Sequence, residues 1–125
     1  MRPSGYSAEA EGWRLVWDPS RTPFPVLIGG SDWAVELTSE EASSLRAGLL
    51  RLLDQLEAIA DQLMDDELIS LELESGGWWL GLDGDPGHWH LRCILFPAPG
   101  LRGWEGAWVP GAGLELTRAL EPLPL

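Results

Sequence analysis

The feature that most constrains the fold is an amphipathic helix pattern between residues 39 and 64. Apolar residues recur there at alternating intervals of three and four, at Ala42, Leu45, Leu49, Leu52, Leu56, Ile59 and Leu63. This spacing places all of these side chains along one face of an α-helix. Thr38 and Glu41 have the spacing of a capping box, which marks the start of the helix. The pattern therefore predicts a helix over residues 39–64 that packs against a sheet.

Short segments of alternating apolar and polar residues, typical of β-strands, lie on both sides of this helix. They cover residues 12–18, 24–28 and 33–37 before the helix and 68–74, 78–82, 88–96 and 104–109 after it. A short C-terminal helix is predicted over residues 110–120. We expect a single α+β domain over residues 12–120, with an antiparallel sheet of about seven strands. Residues 1–11 are expected to form a flexible lead-in, and residues 121–125 a C-terminal tail.

The charge of the chain limits its partners. Twenty acidic and eight basic residues give a net charge of −12, and every basic residue is an arginine. Because this charge repels phosphate, nucleic acid and anionic membranes are unfavourable partners. Eight acidic residues and no basic residue lie between Asp54 and Glu74. This acidic segment is either a solvated surface or a docking surface for a basic partner.

The compartment is predicted from cysteine content and hydropathy. One cysteine cannot form an intramolecular disulfide, which is typical of a reducing compartment. The first residues lack the apolar core of a signal peptide, and no run approaches the roughly 18 apolar residues of a membrane span. We therefore expect a soluble cytoplasmic protein.

His88 and His90 are candidate metal ligands, because they lie two apart on a predicted strand and so face the same side. Asp83 and Asp85 lie nearby and are possible further ligands. Arg92 shares the histidine face and would repel a cation, and two solvent-facing imidazoles beside a turn are the better explanation of the pair. We expect no metal and no cofactor.

The sequence gives little support for catalysis. Cys93 lies on the opposite side of its strand from the histidines, which argues against a Cys–His pair and favours a small core residue. No serine has the glycine pattern of a nucleophile elbow. We expect that the protein is not an enzyme and has no catalytic residues.

Eight tryptophans are the most unusual feature of the composition. Trp13, Trp17 and Trp33 alternate inward and are interpreted as core residues. Trp78 and Trp79 are adjacent on a strand, so their side chains point to opposite faces and one of them is expected at the surface. An exposed aromatic ring on a sheet either stacks on bases or anchors a protein interface.

Four arginines complete the candidate interaction surface with Trp78 and Trp79: Arg14, Arg21, Arg92 and Arg102. Convergence of these arginines on one sheet face beside an exposed tryptophan favours nucleic-acid binding. Arginines that scatter, or that pair with acidic residues, favour a protein partner.

Several segments carry a resemblance to a known family: residues 17–25 (WDPSRTPFP), 27–30 (LIGG), 32–38 (DWAVELT) and 62–67 (QLMDDE). Over about residues 12–120 the chain resembles a small family of uncharacterised cyanobacterial proteins, known only as a domain of unknown function. The resemblance implies a fold similar to the Whirly and positive-cofactor-four type of single-stranded-DNA-binding regulators, in which antiparallel strands are followed by a helix. It implies no catalytic or binding residues.

Two hypotheses from different classes follow. The first is a non-enzymatic protein-interaction or regulatory factor that uses the tryptophan-bearing sheet or the acidic helix, with a homodimer as one option. The second, suggested by the resemblance, is a single-stranded nucleic-acid-binding transcriptional regulator. No membrane partner is expected in either case.

Overall fold

The fold consists of two antiparallel sheets of four strands, each followed in the chain by one helix. The computed structural model describes residues 5–96 and 102–125. The first sheet contains β1 (Tyr6–Ala10), β2 (Trp13–Trp17), β3 (Val26–Gly29) and β4 (Ala34–Leu37), and α1 (Ser39–Ala60) follows it. The second contains β5 (Ile69–Ser75), β6 (Trp78–Asp85), β7 (His88–Leu95) and β8 (Trp104–Trp108), and α2 (Ala112–Leu120) follows it. In both sheets each strand pairs with its neighbour in sequence, so each sheet is a meander.

The α+β class and the antiparallel pairing are confirmed, but the expected single sheet of about seven strands is wrong. No strand of the first sheet pairs with a strand of the second within residues 5–96 and 102–125. Periodicity identifies strands without stating their partners. Short connections pair consecutive strands within each group, whereas the 22-residue α1 carries the chain away to form a second layer.

One strand, β1, was not predicted. It lies in the segment that we expected to be a flexible lead-in. It pairs along its whole length with β2, from Tyr6 opposite Trp17 to Ala10 opposite Trp13. Its small and polar residues are mostly exposed on both faces. Tyr6, Ala8 and Ala10 alternate with Ser7 and Glu9, but two of these three apolar residues are alanines, whose small side chains give a weak strand signal.

Helix α1 begins as predicted and ends about one turn early. Glu41 donates its backbone N–H to Thr38 Oγ1 at 3.1 Å, and Thr38 donates its N–H to the Glu41 carboxylate at 2.9 Å, which confirms the capping box. The last turn has no basic residue to complement the helix dipole. Beyond the helix, Met64 and Leu68 are 74% and 82% exposed. The last residue of the predicted stripe, Leu63, therefore lies outside the helix and is only half-buried.

The predicted stripe forms the centre of one continuous core. Its buried members are Ala42, Leu45, Leu49, Leu52 and Leu56, and α1 packs them against β5 and β6. Helix α2 packs against β2, and Gly113 brings its backbone close to Leu91 of the second sheet. Both helices are therefore part of the packing that unites the sheets. Neither helix in the described part of the chain has the length and hydropathy needed to cross a membrane.

A tryptophan cluster joins the two sheets. Trp33 lies just before β4. Its ring centroid is 5.3 Å from that of Trp104 and 5.1 Å from that of Trp108. Its Nε1–H donates to the Ala107 carbonyl at 3.1 Å, and Trp108 Nε1–H donates to the Gly29 carbonyl at 2.9 Å. Trp33 is half-buried and belongs to this joint, whereas Trp13 and Trp17 are buried as predicted.

Residues 121–125, expected as a tail, pack back onto the domain. Leu123 is buried, and Arg46 of α1 donates a hydrogen bond to its carbonyl at 2.5 Å. The two prolines of this segment end α2 without separating the last residues from the core.

Candidate interaction surface

The solvent-facing side of the second sheet carries an aromatic and apolar centre between acidic edges. Strand register places Glu74, Trp79, Ile94 and Glu105 side by side in one row across β5, β6, β7 and β8. The next row consists of Glu72, Gly81, Arg92 and Ala107. These eight residues, together with Asp83, are called the Trp79 face below.

Trp79 lies flat on this face because Gly81 leaves room for it. A Cβ atom at Gly81 would lie 2.4 Å from the indole ring, so any larger residue there would displace the tryptophan. The Arg92 guanidinium lies 5.2 Å from the ring centroid, within the range of a cation–π interaction. Trp79, Arg92, Ile94 and Glu105 line a depression of about 320 Å³. The half-buried ring therefore forms one wall of a surface depression rather than part of the core.

The charge on the Trp79 face is negative. Glu72, Glu74 and Glu105 are exposed, and Asp83 lies 3.7 Å from Arg92, the one cation among these nine residues. Both members of the Arg92–Asp83 pair are about half exposed, so the pair contributes little to stability. The Asp83 carboxylate does, however, offset part of the positive charge of Arg92 beside Trp79.

Trp78 does not belong to the surface. It is 1% exposed on the inner side of β6, and its Nε1–H donates to the Glu41 carbonyl at 2.9 Å. The reason is the alternation of the strand, since Leu80 and Leu82 share the inner side with it and are fully buried. The placement of Trp78 on the candidate surface is therefore wrong, and of the two tryptophans only Trp79 lies there.

The four candidate arginines are not brought together on one sheet face. Arg14 is exposed on the outer side of the first sheet, and Arg92 lies on the outer side of the second. Arg21 forms an exposed ion pair with Glu36 at 2.6 Å. Arg102 comes from the segment before β8 and reaches the first turn of α1, where its guanidinium is 2.7 Å from the Glu41 carboxylate. Three of the four arginines thus pair with an acidic side chain.

The Arg102–Glu41 pair is a structural contact between the segment that precedes β8 and the first turn of α1. Arg102 also donates to the Glu36 carbonyl of β4 and lies over the ring of Phe24 at 4.7 Å. Burial by itself would raise the pKa of the Glu41 carboxyl. Hydrogen bonds from Arg102 and Thr38 outweigh that effect and hold the pKa below its ordinary value. The positive charge of Arg102 is therefore engaged in contacts within the fold.

The other groups considered for chemistry remain separate. His88 and His90 are exposed, and the described residues contain no group of three His, Cys, Asp or Glu side chains placed to hold a metal. Cys93 is fully buried in the core. Burial raises the pKa of its thiol to about 12, against the opposite effect of a hydrogen bond with the Gly106 backbone. Cys93 is therefore a thiol rather than a reactive thiolate at neutral pH.

Sequence patterns indicated part of this surface. The alternation of Trp78 with Leu80 and Leu82 already pointed Trp78 inward, and Gly81, two residues after Trp79, was the available signal for a ring lying flat on the sheet. Ile94 and Glu105 were missed, because their place beside Trp79 depends on the register of three strands.

Comparison with known proteins places the chain among proteins without an assigned activity. A crystal structure of a protein with unknown function from Prochlorococcus sp. NATL2A, described as from the DUF155 family, aligns with a TM-score of 0.86 and 41% sequence identity. The alignment covers 93% of this chain and 96% of that chain. No curated protein matches the sequence. A family model matches residues 8–123, and the chain therefore belongs to the family described as Domain of unknown function (DUF1818).

Proposed function

We propose that the protein is a non-enzymatic interaction factor that binds another protein through the Trp79 face. The observation that carries this proposal is the position of Trp79: a large aromatic ring lies on a solvent-facing sheet surface, over a glycine that leaves space for it. A tryptophan that forms one wall of a surface depression and is flanked by polar residues has the character of an interface hot spot.

The non-enzymatic part of the proposal rests on the placement of the reactive groups. The Cys93 thiol lies in the core with a raised pKa, and the two histidines are exposed on β7. Neither arrangement provides an activated nucleophile beside a base. One buried free cysteine is also compatible with a cytoplasmic location, which we include in the proposal.

A single-stranded nucleic-acid-binding regulator with a Whirly-like fold is the second candidate. Two four-stranded meanders, each followed by a helix, and an aromatic ring beside Arg92 on an open sheet face support it. Against it stand the acidic edges of that face, because the free energy of non-specific binding comes largely from cations that neutralise phosphates. Arg92 is paired with Asp83, and the net charge of the chain is −12. We therefore favour a protein partner.

The experiment is a comparative affinity capture from cyanobacterial lysate, with wild-type protein, Trp79→Ala and Leu27→Ala as three baits. Leu27 lies on the outer side of the first sheet, so its variant is the matched control. We expect at least one protein captured by wild type and by Leu27→Ala to be lost with Trp79→Ala, and to survive nuclease treatment. Identical capture by all three baits would contradict the proposal, and loss of the captured protein after nuclease treatment would support the second candidate.

A further inference from the structure

We infer that the Trp79 face binds an extended basic segment of the partner, with lysine or arginine at positions i and i+4 and an apolar residue at i+2. This inference rests on the proposed function and specifies the partner of the same surface. The observations that carry it are the order of charges along one row of the sheet and the length of that row.

The row has a carboxylate at each end and an apolar centre. Glu74 on β5 and Glu105 on β8 stand at its two ends, and Trp79 and Ile94 lie between them. Since β5 and β8 are three strand spacings apart, their backbones are about 14 Å from each other. A complementary segment must therefore present two cations about this far apart, on either side of an apolar group.

An extended peptide satisfies this requirement with a short motif. Residues i, i+2 and i+4 of a strand point to the same side, and i and i+4 are separated by about 13 Å. The cations then reach the two glutamates, and the apolar residue enters the depression beside Trp79 and Ile94. Residues i and i+4 of an α-helix are only about 6 Å apart, so the same sequence in helical form would not reach both edges.

The chain's own composition argues against a second copy as the occupant. It contains no lysine, and no two of its arginines stand four positions apart. Two Trp79 faces would also bring together two surfaces on each of which four carboxylates stand against one arginine. Like charges brought together at an interface oppose association. The complementary segment must therefore come from a different and more basic chain.

The test uses fluorescence anisotropy with three labelled probes: a short peptide with two lysines in the i and i+4 positions around an isoleucine, a peptide of the same composition with the lysines adjacent, and a mixed-sequence single-stranded oligonucleotide. We expect the spaced peptide to bind about two- to five-fold more tightly than the permuted one, since only the first engages both glutamates. Its affinity should fall as salt rises.

Charge-neutralising variants locate the site. Glu74→Gln and Glu105→Gln should each weaken binding of the spaced peptide by about two- to five-fold, the range expected for one exposed ion pair. Glu57→Gln, which removes the same charge from the exposed side of α1, should leave the affinity unchanged. Equal affinities for the two peptides, or equal effects of all three variants, would overturn the inference.

These outcomes are distinct from those of the lysate experiment. If Trp79→Ala loses a captured protein but the peptides bind without regard to spacing, the extended basic segment is wrong and the protein-binding function stands. If Trp79→Ala captures what wild type captures, the proposed function itself fails. Oligonucleotide binding that is lost in Trp79→Ala, with no peptide binding, would overturn both in favour of nucleic acid.

Discussion

The two sheets share one architecture and differ in what they present to solvent. Both are four-stranded antiparallel meanders followed by a helix. The outer side of the first sheet has Val16 and Leu27 at its centre, with Arg14 beside them and no aromatic residue on that side of β2, β3 or β4. The outer side of the second has Trp79 and Arg92 at its centre. The inner sides of both contribute to the same core.

This difference separates the inward residues, which folding requires to be large and apolar, from the outward residues, which it does not. Inward residues must fill the space between sheets and helices at close packing, so both sheets use large apolar side chains there. Outward residues are largely free of that requirement. Core packing therefore does not account for a tryptophan on the outer side with a glycine leaving space for its ring, whereas the proposed binding role does. The predictions below test this division between inner and outer residues.

The largest expected effect is the contrast between the two adjacent tryptophans. Trp78→Ala should lower the free energy of unfolding by about 3–5 kcal/mol, because it removes a buried ring and leaves a cavity. Trp79→Ala should lower it by about 1 kcal/mol, because the ring is half-buried on the solvent side. Denaturant unfolding measures both values. Similar losses for the two variants would mean that Trp79 is a structural residue.

A second contrast lies along the apolar pattern of α1. Leu52→Ala should cost about 2–5 kcal/mol, since Leu52 is 1% exposed against the second sheet. Met64→Ala, just beyond the end of the helix, should cost less than about 0.5 kcal/mol because the Met64 side chain is 74% exposed. Urea melts of the two variants provide the measurement. A surface-like loss for Leu52→Ala would contradict the placement of the stripe at the centre of the core.

Among the contacts that these predictions remove from the fold, the smallest expected effect concerns Glu41. Its carbonyl accepts a hydrogen bond from Trp78, and its carboxylate accepts hydrogen bonds from Arg102 and Thr38. Because its pKa is lowered in the folded state, the ionised carboxylate adds stability that is fully present above its ordinary pKa of 4.5. This stability is lost as the pH falls through the lower, folded-state pKa. Glu41→Gln should therefore be less stable than wild type by about 1 kcal/mol at neutral pH, with the difference disappearing in acid. A difference that does not depend on pH would show that the charge of Glu41 is not involved.

Much of the fold follows from the sequence because its determinants are local. The spacing of Leu45, Leu49 and Leu52 specifies a helix, and Thr38 with Glu41 specifies its start. The division into two sheets did not follow, because a strand's partner depends on how far apart α1 places the two groups. Strand β1 was missed because its alternation rests on two alanines and one tyrosine, a weaker apolar signal than the leucines and tryptophans of the other strands.

The candidate site was less predictable than the fold. Trp79 and Arg92 were identified from the sequence, but Trp78 and three of the four arginines do not lie on the face that contains them. The edges of that face come from Glu74 and Glu105, which are 31 positions apart in the chain and meet the row only through strand register. Alternation along one strand cannot provide this information.

The most direct test of the central claim is ¹⁹F NMR of protein labelled with 5-fluorotryptophan, recorded in unlabelled, nuclease-treated cyanobacterial lysate. Eight resonances are expected, and those of Trp78, Trp79 and Trp108 are assigned by single Trp→Phe substitutions. We predict that the Trp79 resonance shifts or broadens in the lysate, while those of the buried Trp78 and Trp108 stay unchanged. A Trp79 resonance that is the same in buffer and in lysate would contradict the account, and one that responds only before nuclease treatment would assign the face to nucleic acid.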